Sequence, residues 1–368
     1  MRESRALDFD VAIVGAGPAG ATAARELATA GARVALLERA RLPRYKSCAG
    51  GIPVRTAALL PPGLQSVVED SVRGLHVSYL GRGRFTRHTE RPFAFMVMRD
   101  RFDNFLTECA ADAGVAVLDG SPVTGVERDD SGFTLRTGTR ALRSRFVIGA
   151  DGANSAVARA TGLGAGLAQS VALEAEVCAA RGDLDRWRGV VNVDLGYRPW
   201  GYGWVFPKQR RLSVGLVLPP ASGPGLRAHL QTYLARLGLA DAAIERTIGH
   251  KLLFRRGHEP IGGDGVLLAG DAAGLADEFT EEGIFYAVQS GVLAAKAVLR
   301  ALRRGQHSLA GYEGAVDRLI MPELQAARRI ATLFYQSLLR ATGPMLWLSE
   351  RVGYFWNAFF RIQQGISS

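Results

Sequence analysis

The segment Asp10–Glu38 constrains this chain more than any other. DVAIVGAGPAG, an apolar strand closing on glycines, is followed by a run of small residues and then by ARVALLER. Gly15, Gly17 and Gly20 keep GxGxxG spacing behind the strand and at the opening of a helix, which is the pattern of a dinucleotide-binding βαβ unit. Each glycine has its own task. Gly15 permits the tight turn, Gly17 lets backbone approach a pyrophosphate, and Gly20, with Ala19, Ala23 and Ala24, lets the helix lie close on the sheet. Phosphate then sits beside Pro18 and Ala19 at the helix N-terminus, where unpaired N–H groups and the macrodipole favour anions. Glu38 ends the second strand about 20 residues on, where an acid can bond a ribose hydroxyl, and Arg39 follows it.

A chain of 368 residues is too long for one core and suggests two lobes. The first strand starts by Phe9 and leaves no room for a leader, and arginine or glutamate interrupts every apolar run, so a cytoplasmic protein is expected. Cys48, Cys109 and Cys178 are widely spaced and unpaired in pattern, which argues against disulfides and against a metal site. The net charge of +10 comes almost wholly from scattered arginines, with Lys46, Lys208, Lys251 and Lys296 the only lysines, and this is no nucleic-acid pattern. The densest patch, Arg82, Arg84, Arg87 and Arg91, reads as an exposed hairpin, either simply solvated or drawn to an anionic lipid surface or a diphosphate.

MRDRFDNFLTECAADA (Met98–Ala113) has helical spacing, and strands alternate after it. Phe146–Ala150 is expected to be a buried strand ending in Asp151-Gly152. GVLLAGDAAG (Gly265–Gly274) is expected to be another, ending in Gly270-Asp271 and opening a helix. Both acids then lie at carboxyl ends of strands, where open α/β sheets bind ligands. Val171–Pro219 reads as an antiparallel layer inserted into the cofactor domain. The fold class is therefore α/β, with a cofactor domain at 1–72, 97–163 and 262–315, a substrate domain at 73–96 and 164–261, and a helical segment at 316–368.

Taken together, GAGPAG, PRYKSCAGG (Pro43–Gly51), the arginine of MRDRFD, VIGADGANSAVAR, GYGWVFPK (Gly201–Lys208) and GDAAGLADEFTEEGI resemble the geranylgeranyl reductase family of flavoproteins. The resemblance implies a p-hydroxybenzoate hydroxylase type of FAD-binding domain. It also implies reduction of isolated C=C bonds in a polyprenyl chain on a diphosphate, lipid, quinone or chlorophyll-type carrier. By the same resemblance Gly15, Gly17, Gly20 and Glu38 hold the ADP part of FAD, Arg99 reaches the ribose or pyrophosphate, and Asp271 takes the ribityl or pyrophosphate end. Val123, Asp151, Gly152 and Gly270 belong to the same cofactor set. Gly283 and Ile284 present backbone N–H groups to the flavin pyrimidine. Cys48, Ala49, Gly50 and Gly51 lie against the ring, and Tyr202, Trp204, Phe206, Pro207 and Lys208 belong to the substrate side. Tyr202, Trp204 and Phe206 alternate, so their rings share one strand face and can exclude water and stabilise positive charge.

Two segments depart from the family pattern. Ala49 stands in a CGGG-like run, and Glu278 and Glu281 stand in a PxTGEGI-like turn. Glu281 either faces solvent, or sits at the flavin edge as a repelling charge or an unusual acid. Cys48 is the candidate nearest the chemistry, with Arg44 or Lys46 beside it. Lys208 is a solvated strand end or a head-group binder. The aromatic residues Phe334, Tyr335, Trp347, Tyr354, Phe355, Trp356, Phe359 and Phe360, with Phe355/Phe359 and Trp356/Phe360 at stacking spacing, suggest a terminal helix, a lipid-tail wall or a peripheral membrane contact. Two other functions stay open, an oxygen-using hydroxylase or halogenase and a non-catalytic FAD- or lipid-binding protein. LGAGLAQ (Leu163–Gln169) lacks the last glycine of a second dinucleotide motif, so electrons are expected from transient NAD(P)H or from a ferredoxin.

Overall fold

A computed structural model describes residues 8–138, 140–197, 201–333 and 353–366. β1 (Phe9–Val14) runs into α1 (Pro18–Thr29) and returns as β2 (Val34–Leu37). β3 (Gly51–Pro53), the short α2 (Val54–Ala57), β4 (Val68–Val72), β5 (Gly74–Tyr79), β6 (Arg82–His88) and β7 (Ala94–Val97) precede α3 (Arg99–Asp112). Next come β8 (Ala116–Leu118), β9 (Val123–Asp129), β10 (Gly132–Thr137), β11 (Ala141–Gly149) and α4 (Ala156–Thr161). They are followed by β12 (Ala168–Cys178), α5 (Arg181–Trp187), β13 (Val190–Leu195), β14 (Tyr202–Pro207), β15 (Leu212–Leu218), α6 (Leu226–Arg236) and β16 (Ala243–Phe254). β17 (Val266–Leu268) leads to the long α7 (Ile284–Arg304), α8 (Gly311–Leu319), α9 (Met321–Leu333) and α10 (Gly353–Gln364).

The first sheet runs β8-β2-β1-β11-β10-β9, with β17 on the far half of β11. β8, β2, β1, β11 and β17 are parallel, and β11, β10 and β9 form an antiparallel meander. Val11, Ala12 and Ile13 are fully buried, as parallel strands covered on both faces require. α1 and α7 cross at a contact that only glycine allows: a Cβ on Gly291 would stand 2.4 Å from the Ala19 carbonyl. By length and hydropathy α7 is long and apolar enough to cross a membrane, contrary to the expectation that every apolar run is interrupted. Its mostly buried face packs here against α1 and α8, and Lys296 is exposed.

The second sheet runs β16-β12-β15-β14-β13-β5-β6 and is antiparallel except where β13 pairs parallel with β5. α6 packs on its outer face. β3, β7 and β4 make a small sheet of their own. The arginine-rich segment is β6, an edge strand hairpinned to β5. After β17 the chain makes a 3-10 turn at Gly270–Ala273, not the expected helix, which begins only at Ile284. Gly274 in the left-handed region closes that turn. Phe334, Tyr335 and Trp347 lie outside the described residues, as do the side chains of Arg84, Tyr354 and Phe355. In α10, Trp356 and Phe359 meet edge to face, and Phe360 tilts onto Phe93 at 4.9 Å between ring centroids.

Candidate active site

A cavity of about 910 Å³ lies between the first sheet and the inner face of the second. Gly15, Gly17, Pro18, Ala19, Glu38, Arg39, Val123, Asp151, Gly152, Gly270 and Asp271 line its polar end. The glycines behave as their spacing predicts. A Cβ on Gly15 would stand 2.3 Å from the Ala150 carbonyl, and one on Gly20 would stand 1.9 Å from the Gly15 carbonyl, so these two set the turn and the helix packing. Gly20 does not line the cavity. A Cβ on Gly17 or Gly152 would meet nothing within 4 Å and would project into cavity space that a bound group needs. This cradle fits FAD.

Charged partners order that end. Glu38 accepts from the Ala16 and Ala40 N–H groups at 3.1 and 3.2 Å and pairs with Arg44 at 3.3 Å. Its oxygens keep lone pairs for a ribose hydroxyl. Arg44 also reaches Asp103 at 2.7 Å, and Asp103 takes both Nε and Nη2 of Arg99. Arg99 therefore stands in the wall, held above its ordinary pKa, against burial, by Asp103 and by Cys48. Asp151 turns its carboxylate onto Ser155 Oγ and the Ala156 N–H, both at 2.6 Å, and caps α4 instead of reaching out. Asp271 is met by Lys46 Nζ at 3.4 Å and His250 Nε2 at 3.8 Å. Burial raises its carboxyl, but Lys46 and His250 outweigh it and hold the group well below the usual range.

The loop at residues 45–51 separates the cavity's two ends. The Gly50 N–H points at Cys48 Sγ at 3.4 Å, and a Cβ on Gly50 (φ +73°) would stand 2.1 Å from the Val97 carbonyl. Ala49 has no positive φ, so this departure is structurally quiet. Beyond the loop the walls are mostly apolar, with the acids Glu174 and Glu281 among them. Register across the second sheet sets residues in rows: Ala172, Val217 and Tyr202; then Glu174, Gly215 and Trp204; then Glu176, Ser213 and Phe206. A Cβ on Gly215 would stand 2.1 Å from the Trp204 ring, so the indole lies across that glycine, and its Nε1–H donates to Ser213 Oγ. Val77, Phe93, Met96 and Val193 complete the wall with Trp356 and Phe359 of α10.

Two expectations, at Lys208 and Pro207, need correction, and the alternatives left open for Glu281 are narrowed. Lys208 is neither solvated nor a head-group binder: it is 4% exposed and pairs with Glu176 at 3.2 Å behind the wall. Neither Lys208 nor Pro207 lines the cavity, whereas Gly51, Tyr202, Trp204 and Phe206 do. Glu278 is an ion-pair partner of Arg256 at 2.7 Å, with Arg328 nearby, and Glu281 is in the cavity wall. Sequence reasoning also missed Tyr45, Glu174, Glu176 and His250. Tyr45 donates to Glu174 at 2.9 Å and lies 3.4 Å from Glu176. Burial raises the Glu174 carboxyl, Lys208 opposes, and Glu176 adds to the rise. The only local signal was Glu174-Ala175-Glu176, two acids on one face of an apolar strand.

A phosphate-binding βαβ unit opening onto an apolar cavity roofed by a second sheet defines a flavoprotein of the p-hydroxybenzoate hydroxylase type. A family model described as "FAD binding domain" matches residues 8–198. A geranylgeranyl diphosphate reductase of Rhodobacter capsulatus is 35% identical over 316 residues, which is 82% of this chain and 77% of the relative. A digeranylgeranylglycerophospholipid reductase of Methanopyrus kandleri is 30% identical over 357 residues, 89% of this chain and 91% of the relative. A geranylgeranyl bacteriochlorophyll reductase-like protein from Thermoplasma acidophilum has the same fold, with TM-score 0.79, 24% identity and coverage of 94% and 96%. The chain belongs to the geranylgeranyl reductase family of FAD-binding oxidoreductases.

Proposed function

We propose that this chain adds hydrogen across isolated C=C bonds of a polyprenyl chain, held in the apolar arm while its carrier stays at the rim. The observation that carries this reading is the continuous aromatic and aliphatic wall that starts at the loop at residues 45–51 and ends at α10. Bound FAD supplies the hydride. The rings of Tyr202, Trp204 and Phe206 exclude water and turn π faces towards positive charge developing on the more substituted carbon. Cys48, tied to Arg99 and to the Gly50 N–H, shapes the loop between the two ends of the cavity. Tyr202 donates to the Thr280 carbonyl at 2.6 Å and so fixes the second sheet against the turn before α7. Gly283 and Ile284 open that helix, where backbone N–H groups favour negative charge on the reduced ring.

Electrons come from outside the chain, through transient NAD(P)H or a docked ferredoxin. The protein works in the cytoplasm and meets the membrane peripherally to reach its lipid. The decisive experiment reduces the FAD-loaded protein without air and offers geranylgeranyl diphosphate and a geranylgeranyl glycerolipid. The expected product gains two hydrogens per bond by mass spectrometry. A requirement for oxygen or halide, or no turnover of either carrier, overturns the reading.

A further inference from the structure

Glu281 is one of two described non-glycine residues with positive φ, at +58°. The other, Leu80, lies in the turn between β5 and β6. A left-handed conformation is unfavourable for a residue that carries a side chain and persists only where the surroundings over-determine it. They do so here. Asp277 Oδ1 accepts from the Phe279 and Thr280 N–H groups, the Glu281 N–H donates to the Asp277 carbonyl, and Tyr202 holds Thr280 from the second sheet. The fixed backbone places Glu281 in the cavity wall at the N-terminus of α7, with its Oε2 buried and unpartnered.

The groups facing this carboxyl are Asp277 and Glu278 of its own turn and the Ser170 hydroxyl of β12. Glu282 follows it, and the Arg55–Glu323 pair lies beyond. Nearby cations are committed elsewhere: Arg256 and Arg328 to Glu278, Lys46 to Asp271. Among the described residues none pairs with Glu281.

We propose that Glu281 is the acid that supplies the proton for saturation of the double bond and recovers it from solvent when the cofactor is reduced again. This deepens the reductase reading and rests on it. Burial, to which the charges of Asp277 and Glu278 add, raises its carboxyl well above the ordinary value and so favours the protonated form. In the step the π bond breaks and two C–H bonds form. The hydride goes to the more substituted carbon, the Glu281 O–H breaks, and its proton goes to the other carbon. FAD is left oxidised and Glu281 ionised. The external donor then returns two electrons, one proton goes to the cofactor to replace the hydrogen it gave up, and the negative charge the cofactor gains drives Glu281 to take a second proton from water. Charge on the cofactor and the proton on Glu281 are thus linked, and the linkage is reciprocal.

The test uses the FAD-loaded protein without prenyl substrate, comparing wild type with Glu281→Gln. Reduction potential is titrated anaerobically against indicator dyes from pH 6 to 10, and protons taken up on reduction are counted with a pH dye in weak buffer. The wild-type potential is expected to fall more steeply as pH rises through the carboxyl's range, by up to tenfold in oxidised-to-reduced ratio per pH unit, about 30 mV for a two-electron couple. The variant is expected to take up correspondingly fewer protons there. Parallel potentials with equal proton counts overturn the proposal. If Glu281→Gln does not load FAD, Glu281→Gly, which suits the left-handed backbone, gives the same two readouts. Neither measurement involves a prenyl chain, so failure here leaves the substrate reading standing, and failure of that reading leaves this test intact.

Discussion

Two residues with similar sequence appearance end with different duties, because burial and partners decide what a carboxyl does. Glu38 is tied by backbone N–H groups and Arg44, whereas Glu282 beside α7 is raised by burial from 4.5 to about 7, against the Phe285 N–H and Arg55. The sign follows from linkage: a carboxyl whose pKa is higher folded than unfolded adds stability that is full below pH 4.5 and lost as pH rises through about 7. Glu282→Gln keeps the acceptor for Phe285 and is expected to raise Tm by roughly 2–4 °C at pH 8 with little change at pH 5. A melting series over that range checks it. At this scale the sequence was most legible where chemistry is local. The spacing of Gly15, Gly17 and Gly20 stated their tasks because a turn involves only neighbours. Arg44, Lys46 and His250 find their carboxylates 59, 225 and 21 positions away, and no pattern along the chain announces such pairs.

Among elements, β14 and β15 form the part of the wall that depends most on a single missing atom. Gly215→Ala places a methyl inside the Trp204 ring, so the indole must leave its row, at a cost of about 1–3 kcal/mol. The expected readouts are a shifted tryptophan emission and a raised KM for the prenyl substrate. An unchanged spectrum would mean that Trp204 does not lie across Gly215. β12 holds the converse case, a buried pair. Lys208→Met leaves Glu176 charged and unpaired and is expected to cost about 3–5 kcal/mol in urea unfolding, with Glu176→Gln in the same chain restoring most of it. Strand alternation made the rings of Tyr202, Trp204 and Phe206 readable as one face. It did not reveal Lys208, since a lysine after Phe206-Pro207 looks like a strand end until Glu176 is seen beside it. It also gave no hint that β13 runs parallel to β5, because strands whose partners, such as Gly74 and Val190, lie 116 positions apart choose direction through the whole sheet.

For the whole molecule, the sheets, the N-terminal ends of α1 and α7 and the helix α10 enclose a space that is polar at one end and apolar at the other, and much of that space belongs to a group the chain itself does not supply. Binding FAD therefore stabilises the fold by mass action, by about 2.7 kcal/mol at a hundredfold excess over Kd. Stripping FAD is expected to lower Tm accordingly, and restoring it to recover the loss. A Tm indifferent to FAD would mean that the folded chain does not bind it.

The loop at residues 45–51 has a further consequence. Lys46 fastens it to Asp271 on one side, and Tyr45 fastens it to Glu174 on the other. It is a bolt shot between two doors. A visiting coenzyme would have to draw that bolt at every turnover, so the geometry suits a permanent tenant: FAD that remains through prolonged dialysis while prenyl chains come and go on the far side.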